Sequence, residues 1–509
     1  MSGGRAPVKS RWQLAALGAL FAGVAVALYA PSYGAPFVAD DVLYLEHNPN
    51  FALPIGQALP RVLLQPYFAN WSPLHHLLLY AEWSAFGMRA LPYRVVNAIL
   101  HACVSLAFVA AGRRAGLSRR AAVAAGTLFL VHPVAAEAVA WINQSKTLLA
   151  VGLCVVALER WLAHLRAPAP RRLAAATALG VLALLAKPAA LPLPAILLAA
   201  AWTHGCGSAG RGMRRAAVEL LPLALVAAVA FALNVHAQST QGGVAPWFGG
   251  SPEATLRMLP WIAWRYVRIV AAPVDLSHGV HPVPTSGWAD PRVWLPLAGL
   301  LAVAAGVAAA CRARRERALG AAWFALMLLP VVQVIPMIEV FADRYLYAAL
   351  PGALGLAADV GDAWARRNGL RATRAVAAAA ALAAIGLAAI TAQRAVLWGR
   401  PEALYRESAD AWPLGRTGWT GLGAELHRKG DLDGAAAAYL RSLAVHPDDG
   451  HVRQLLGRVR LRQQQRELAL YDLEESLRLA PAQPDSDWAR RIVRQLRDRS
   501  VVPREDGRP

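Results

Sequence analysis

The chain has 509 residues, 57% of them hydrophobic, and a formal net charge of +20. This apolar content exceeds the roughly 45–50% of soluble globular domains, and several runs reach the ~20 residues that span a bilayer, which indicates an integral membrane protein. The charge does not indicate a nucleic-acid partner, because the arginines cluster in short loops between apolar segments. The four cysteines show no Cys-x-x-Cys spacing, so neither a zinc site nor a redox pair is predicted.

The apolar segments predict about eleven membrane-spanning helices. They lie near residues 12–30, 92–112, 121–136, 145–163, 173–187, 189–203, 216–236, 292–311, 318–336, 346–362 and 375–392. Arginine-rich loops predict the cytoplasmic ends, and the opposite loops, 31–72, 237–291 and 337–345, contain acids, tryptophans and prolines instead. The preference for arginine over lysine is typical of a GC-rich bacterium. We therefore expect a bacterial inner-membrane protein with a cytoplasmic N-terminus and a periplasmic C-terminal region.

Two further apolar stretches, 73–87 and 254–272, are predicted to lie on the outer membrane surface as amphipathic helices. The second contains Arg257, Arg265 and Arg268. A charge at mid-bilayer costs at least ~2.5–3.5 kcal/mol, which argues against a further crossing there.

The chain after residue 392 is polar and repeats at a period of 34 residues, with Leu422-Gly423 recurring as Leu456-Gly457. This period, with Trp419 at the first aromatic position, resembles the tetratricopeptide (TPR) pattern of paired helices. We predict a membrane domain over 1–392 and a TPR domain over 393–498. The predicted parts of the tail are a partial repeat at 400–415, full repeats at 416–449 and 450–483, a closing helix near 485–498 and a disordered end at 499–509.

Two adjacent acids, Asp40 and Asp41, follow the first apolar segment within the stretch 37–50. They are therefore predicted to lie just outside the bilayer. An isolated pair of acids in a loop is most often a solvated feature. The many membrane segments and the helical-repeat tail around this pair favour an enzymatic role instead.

Polar side chains in membrane helices are costly and usually face a cavity or a partner. Arg94, Asn97 and His101 share one helical face, which fits either a pocket or an interhelical hydrogen-bond seam, and we favour the seam for Asn97 and His101. His132 and Glu137 end the third segment, either as a helix-end turn or as a pocket rim.

Several cations are predicted at the same outer side as the acid pair. Lys187 closes the fifth segment, Asp343 and Arg344 open the tenth, and Arg268 lies on the predicted surface helix. Three roles are open for the cations: snorkelling to lipid headgroups, an ion pair with Glu137 or Asp343, or contact with a phosphate.

These motifs together resemble the membrane-embedded type C glycosyltransferases, and specifically the protein O-mannosyltransferases with a TPR tail. The resemblance covers nearly the whole chain. It rests on F-V-A-D-D-V-L-Y-L-E-H-N (37–48), S-P-L (72–74), Y-R-V-V-N-A-I-L-H (93–101), H-P-V-A-A-E-A-V-A-W (132–141), A-K-P-A-A-L-P-L-P (186–194) and F-A-D-R-Y-L-Y-A-A-L-P (341–351). The chain departs from the family at Trp71-Ser72 and at Ser145-Lys146, where the family commonly has arginine. Both departures are expected to remove a pocket cation.

The resemblance implies an all-α, polytopic membrane helix bundle of type C with a C-terminal TPR domain. It implies transfer of mannose or another hexose from a polyprenyl-phosphate donor to Ser or Thr hydroxyls of proteins. Asp41, slightly favoured over Asp40, would be the base, and Lys187, Arg344 and Arg268 would bind the donor phosphate. Pocket positions are His132, Glu137, Asp343, Arg94, Asn97 and His101, with no metal ligand assigned.

No cofactor is predicted, and dependence on a divalent cation is left open. The expected partners are the lipid bilayer, the lipid-linked donor and a protein bound by the TPR domain, with no nucleic acid. Two alternatives remain: sugar transfer to a glycolipid or envelope polymer, and a non-catalytic membrane-anchored TPR scaffold. A transporter is less favoured because no repeated halves are visible.

Overall fold

The computed structural model describes residues 8–498 except 47, 68–69, 205–209, 241–245, 334–335, 337–338, 482 and 484. Within these residues the chain is all-helical, and its only β pairing is two isolated bridges, Tyr67 with Asn70 and Val280 with Phe341. The predicted disordered end at 499–509 lies outside the described residues, as does His47 of the acid-pair stretch.

Within the described residues, fifteen α-helices precede the tail. They are α1 (Val8–Tyr29), α2 (Ile55–Leu64), α3 (Pro73–Phe86), α4 (Ala90–Arg114), α5 (Arg119–Leu130), α6 (Ala135–Ala140), α7 (Ser145–Arg166), α8 (Pro170–Ala186), α9 (Leu193–His204), α10 (Gly210–Thr240), α11 (Pro252–Ala271), α12 (Pro291–Ala313), α13 (Arg317–Leu328), α14 (Asp343–Arg367) and α15 (Gly369–Trp398). Each predicted apolar segment coincides with one of them. The predicted surface helices are α3 and α11, whereas α2, inside the first outer loop, was not predicted.

Six of the described helices are long and apolar enough to cross a membrane. They cover Gln13–Ser32, Ala90–Arg114, Ile142–Arg166, Gly212–Ser239, Pro291–Ala313 and Gly369–Trp398, and two shorter apolar helices cover Pro188–His204 and Arg317–Val331. The chain is therefore multi-pass by length and composition. The larger predicted number of crossings stays a prediction.

The arginine-rich loops, far apart in sequence, meet at one end of the bundle. Arg114 contacts Glu159 at 3.0 Å, and Arg314 and Arg317 each contact Asp359 at 2.7 Å. The loop with the acid pair and the starts of α7 and α14 meet at the opposite end. We call the arginine-rich end the inner end and the opposite one the outer end. This segregation is what the predicted alternation of loops requires.

Small residues allow close helix packing inside the bundle. On α14, a side-chain carbon at Gly352 would lie 2.7 Å from the backbone nitrogen of Phe324 on α13. On α13, one at Gly320 would lie 2.8 Å from the carbonyl oxygen of Gly352. Glycine is therefore required at both points, as in tightly packed membrane helices.

The described part of the tail has six helices: α16 (Pro401–Ala411), α17 (Arg416–Lys429), α18 (Leu432–Val445), α19 (Gly450–Arg462), α20 (Arg466–Leu479) and α21 (Ser486–Arg497). The starts of α17 and α18 recur 34 residues later in α19 and α20, so the sequence period appears as a repeated helix pair. Gly423 and Gly457 lie against Tyr439 and Leu473 of the facing helices, too close for a side-chain carbon. The TPR identity of these pairs stays a proposal.

The predicted domain boundary after residue 392 falls inside α15, which continues to Trp398. The physical reason is that A-Q-R-A-V-L-W contains no helix-breaking residue, and glycine and proline occur only at Gly399 and Pro401. The tail therefore begins at α16.

Candidate active site at the outer end

The acid pair sits in a tight turn and its two members have different surroundings. Asp41 is fully buried, and its carboxylate accepts hydrogen bonds from the backbone N–H groups of Asn143 (2.8 Å) and Val38 (3.3 Å). Asp40 is half-buried and accepts one from the Asn143 side-chain amide at 3.3 Å. Burial raises the pKa of Asp41 to about 7, although the charge of Arg94 and both N–H bonds act in the opposite direction. Asp41 can therefore gain or lose a proton near neutral pH.

The segment Trp141–Thr147, which we call the 141–147 strap, connects the acid pair to the cations. It leaves α6, makes a 3₁₀ turn over Ile142–Gln144 and enters α7, and it is buried throughout. Asn143 contacts both acids. The Lys187 ammonium donates to the Thr147 hydroxyl at 2.6 Å and to the Gln144 side-chain oxygen at 3.2 Å.

Lys146, in the first turn of α7, is a cation of this arrangement that the sequence analysis named only as a departure from the family pattern. Its ammonium group lies 5.0 Å from the centre of the Tyr44 ring and interacts electrostatically with Asp40 and Asp41. The expectation that the Ser145-Lys146 departure removes a pocket cation is therefore wrong. The cation is one position further along, and the first turn of the helix directs it to the acid pair.

Arg344 and Glu137 form a buried ion pair beside the strap. The Arg344 guanidinium donates to one Glu137 oxygen at 2.6 Å, and the Arg344 backbone N–H donates to the other at 3.0 Å. The central carbon of the guanidinium lies 5.3 Å from the centre of the Trp141 ring. His278 contacts the same carboxylate at 2.9 Å. Burial alone would raise the pKa of Glu137, but the charge of Arg344 and the His278 hydrogen bond lower it to about 2. Of the three roles open for Arg344, the geometry shows the ion pair.

Asp343 lies next to this pair. One of its oxygens accepts a hydrogen bond from the Ser277 backbone N–H at 2.8 Å, and the other is buried with no partner among the described residues. Asp343, Glu137, His278 and Arg394 line a cavity of about 10 Å³, which has room for roughly one water molecule. Asp343 therefore borders the site rather than facing the acid pair.

Arg94 and Asn97 hold the backbone around the acid pair. The Arg94 guanidinium donates to the carbonyl oxygens of Ala35 (2.5 Å), Pro36 (2.6 Å) and Ala140 (3.1 Å). The Asn97 amide donates to the carbonyl oxygens of Val139, Trp141 and Ile142, at the end of α6 and the start of the strap, at 3.2–3.3 Å. Both side chains are buried, and their N–H groups donate to backbone carbonyl oxygens. Both therefore hold the neighbouring backbone in place. For Asn97 this is the interhelical hydrogen-bond role that we favoured.

His101 and His132 also bond within the bundle. His101 contacts the Tyr347 hydroxyl at 2.9 Å and the Leu130 carbonyl at 3.0 Å, which is again the seam. His132 contacts the Val270 carbonyl at 3.3 Å. Neither ring reaches the strap. Their arrangement supports packing of helix ends rather than a pocket.

Arg268 is not brought into this arrangement. It lies on α11 with a side chain 39% exposed and pairs with Asp275 at 3.1 Å. The buried arginine of this helix is Arg265, which donates to the Asp275 carbonyl and lies 5.0 Å from the Phe341 ring centre.

Two adjacent histidines on α3, which the sequence analysis did not single out, complete the outer end. The rings of His75 and His76 lie 5.9 and 5.6 Å from the Tyr44 ring, on the same tyrosine that Lys146 faces. Both nitrogens of His75 and Nε2 of His76 are buried without a hydrogen-bond partner in the described part of the chain. Burial and the charge of Lys146 lower the pKa of His76 to about 4, so it is neutral. Unpartnered buried polar atoms are uncommon in folded proteins.

No known protein-family model matches the chain, and no curated protein sequence matches it. Among solved structures, the chain is similar to that of ArnT from Cupriavidus metallidurans in the apo state. The two share 15% sequence identity at a TM-score of 0.43, over 80% of this chain and 78% of that one. A likeness at this level assigns neither the fold nor an activity.

Proposed function

We propose that the chain is a membrane glycosyltransferase of type C that moves a hexose from a polyprenyl-phosphate donor to a hydroxyl acceptor. One observation supports this most directly. A buried carboxylate with a pKa of about 7, Asp41, lies in the same cluster as Lys146 and Lys187. Among the described residues, neither lysine forms a direct ion pair with an acid, although Lys146 interacts electrostatically with Asp40 and Asp41. A non-catalytic scaffold does not require a buried carboxylate beside buried lysines, whereas transfer from a sugar phosphate requires a base and cations.

The chemistry requires one base and no general acid. The acceptor oxygen forms a bond to the anomeric carbon, the bond from that carbon to the phosphate oxygen breaks with its electron pair, and the configuration inverts. Asp41 takes the hydroxyl proton, because a base is most effective when its pKa is near the working pH. Polyprenyl phosphate is already a good leaving group and needs only charge stabilisation. Glycosidases, in contrast, need two carboxyl groups.

We assign the leaving phosphate to Lys146 and Lys187. Lys187 bonds only to the neutral side chains of Gln144 and Thr147, and Lys146 faces an aromatic ring. A phosphate between them would supply negative charge to Lys187 and further negative charge to Lys146, and it could accept hydrogen bonds from the neighbouring histidine pair. Arg344 is already neutralised by Glu137 and forms a wall of the site. Arg268 has no part in this assignment.

We further propose that the outer end faces the periplasm of a bacterial inner membrane and that the acceptors are Ser or Thr hydroxyls of proteins. The tail supports a protein acceptor, because its helices lie next to the acid pair and its repeats are typical of polypeptide-binding domains. A glycolipid or envelope polymer remains the alternative acceptor. An alkaline phosphatase fusion after Pro413 should be active if the tail is periplasmic, and an inactive fusion there would contradict this orientation.

The activity is tested with the full-length protein in liposomes, given polyprenyl-phosphate mannose and, in parallel reactions, a Ser/Thr-rich polypeptide or a glycolipid. Transfer to the polypeptide that rises about tenfold per pH unit below pH 7 and levels off above it would support the proposal, because Asp41 must be deprotonated to act. Transfer to the glycolipid alone would support the alternative acceptor. No transfer to either would contradict the enzyme proposal.

A further inference from the structure

An apolar cavity of about 70 Å³ lies at the inner end of the bundle, between α4, α7, α13 and α14. This volume has room for roughly five to seven groups of the size of a water molecule or a methylene. Phe108, Leu158 and Trp323 line it, and the Trp323 ring N–H already donates to the Ala348 carbonyl at 2.8 Å. The lining residue Leu356 is partly exposed, so the cavity reaches the surface of the bundle. Such walls offer water few hydrogen-bond partners and suit an apolar ligand.

Four glycines line the cavity, and helix packing explains two of them. Gly320 and Gly352 are required for the close contact of α13 with α14. At Gly355 of α14 a side-chain carbon would lie 3.6 Å from its nearest facing atom, on the Phe108 ring, and at Gly112 of α4 the corresponding distance would be 3.4 Å. Both positions have room for alanine, which favours a helix more than glycine does. Glycine at these two positions instead keeps the cavity open.

Charged side chains form the mouth of the cavity, and their charges balance. Arg314 pairs with Glu316 at 3.3 Å and with Asp359 at 2.7 Å, and Arg317 pairs with the same Asp359 at 2.7 Å. The side chains of Arg314 and Glu316 are 32% and 41% exposed, so both signs of charge reach the surface beside the cavity. A head group that has both a phosphate and an ammonium group matches this mouth, because the phosphate pairs with the arginine and the ammonium with the glutamate.

We propose that this cavity binds one hydrocarbon chain of a zwitterionic phospholipid, whose head group lies at Arg314 and Glu316. The lipid belongs to the leaflet at the inner end, and its chain completes the packing of four helices there. This site goes beyond the proposed function, because it lies at the opposite end of the bundle from the acid pair. The chain of a polyprenyl-phosphate donor fits it less well, since the donor phosphate is assigned to the outer end, across a hydrocarbon core about 30 Å thick.

The proposal is tested with the full-length protein in detergent, freed of bound lipid and then titrated with phosphatidylethanolamine or with the anionic phosphatidylglycerol. Native mass spectrometry counts the bound lipids, and thermal unfolding shows whether they stabilise the folded protein. The wild type should bind one phosphatidylethanolamine about tenfold more tightly than phosphatidylglycerol, the value of one charge-assisted contact. Its Tm should rise with the phosphatidylethanolamine concentration, because a ligand of the folded state stabilises that state.

Two variants test the chain and the head group separately. Gly355→Leu fills the cavity and should weaken phosphatidylethanolamine binding by at least about tenfold, because the chain can no longer be buried. Its control is Gly386→Leu, which adds the same group at an exposed position of α15 with nothing within 4 Å and should bind as the wild type does. Glu316→Gln removes the partner of the ammonium group, so the preference for phosphatidylethanolamine should disappear. Because Glu316 is partly exposed, this variant tests the site even if Gly355→Leu does not fold.

A single phosphatidylethanolamine that is lost in Gly355→Leu and kept in Gly386→Leu supports the cavity as its binding site. Equal affinities of the wild type and a folded Gly355→Leu would overturn it. Tighter binding of phosphatidylglycerol by the wild type, or an unchanged preference in Glu316→Gln, would overturn the head-group assignment. Displacement of the bound phosphatidylethanolamine by polyprenyl phosphate would show that the cavity belongs to the donor chain, and it would overturn a phospholipid as the occupant.

Discussion

The two ends of the bundle both contain many charged residues, but they use them differently. At the inner end each buried acid has basic partners, as Asp359 has Arg314 and Arg317, both at 2.7 Å. The side chains of these arginines range from 9% exposed for Arg317 to 66% exposed for Arg215. At the outer end Asp41 is held by backbone N–H groups, and Lys146 and Lys187 have no acidic ion-pair partner among the described residues.

The inner-end arginines fit the charge pattern that sets membrane topology, whereas the outer-end lysines fit a binding site for a charged ligand. At the inner end the buried charge of Asp359 is already balanced by Arg314 and Arg317, and the more exposed pairs contribute only ~0–1 kcal/mol each, so no further ion is needed there to balance it. Burial and the charges of Lys146 and Arg344 lower the pKa of Lys187 well below its usual range, so a bound anion is needed to stabilise its charged form. The outer end is therefore the place where an anionic ligand would complete the structure. The variants below test this comparison.

The largest effect is expected from the acids themselves. Asp41→Asn should lower sugar transfer by about 10²–10⁴-fold, because the amide cannot accept the acceptor proton. The matched inner-end variant is Asp359→Asn, which removes an equally buried carboxylate. It should lower thermal stability but leave transfer per folded molecule unchanged. Initial rates normalised to folded protein decide the outcome, and equal losses in the two variants would contradict the distinction between the ends.

The second effect concerns the buried ion pair. Arg344→Gln leaves Glu137 buried without its main counter-charge and should destabilise the protein by about 3–5 kcal/mol. The double variant Glu137→Gln/Arg344→Gln removes both charges and should recover most of this loss. Thermal unfolding in detergent measures both. If Arg344→Gln keeps full stability and instead raises the donor KM, Arg344 binds the phosphate and our assignment is wrong.

Much of the fold could be predicted from the sequence because helix length and charge alternation are local signals. The apolar segments coincide with helices, and the tail period appears as a recurring helix pair. The acid pair was also visible, as two charges beside an apolar run. The partners of these residues could not be predicted, since they depend on contacts between distant segments. Asn143 contacts acids about a hundred positions earlier, and Leu404 of the tail packs in one core cluster with Val38.

Lys146 also shows why the site residues could not all be predicted from the sequence. A motif comparison expects arginine at a fixed position and registers its absence, whereas the first turn of a helix can present a cation from the next position. The pairing of Arg344 with Glu137 was one of three open roles, and only the packed helix ends decide between them. Adjacent histidines in an apolar run, such as His75 and His76, can indicate residues of a binding site when other motifs already predict a charged pocket.

The third prediction tests the cations. Lys187→Gln and Lys146→Gln should each raise the donor KM by ~10–100-fold, the value of one charge-assisted bond to phosphate. Lys429→Gln is the control, because that lysine is 47% exposed and pairs with Glu402 in the tail. Its kinetics should match the wild type. An unchanged donor KM in both Lys146→Gln and Lys187→Gln would mean that the phosphate binds elsewhere.

The smallest effect is expected at Arg268, which the sequence placed near the donor and the structure pairs with Asp275. This pair is 39% and 64% exposed on its two side chains, so breaking it should cost no more than ~0.2–1 kcal/mol. Arg268→Gln should therefore keep transfer within about twofold of the wild type at moderate salt. Arg265, three residues earlier on the same helix and buried, is the matched comparison, because Arg265→Gln removes its contacts with Phe341 and the Asp275 carbonyl and should lower thermal stability. If Arg268→Gln raises the donor KM tenfold with stability unchanged, the phosphate site includes α11. That result would contradict the assignment of the phosphate to Lys146 and Lys187 alone.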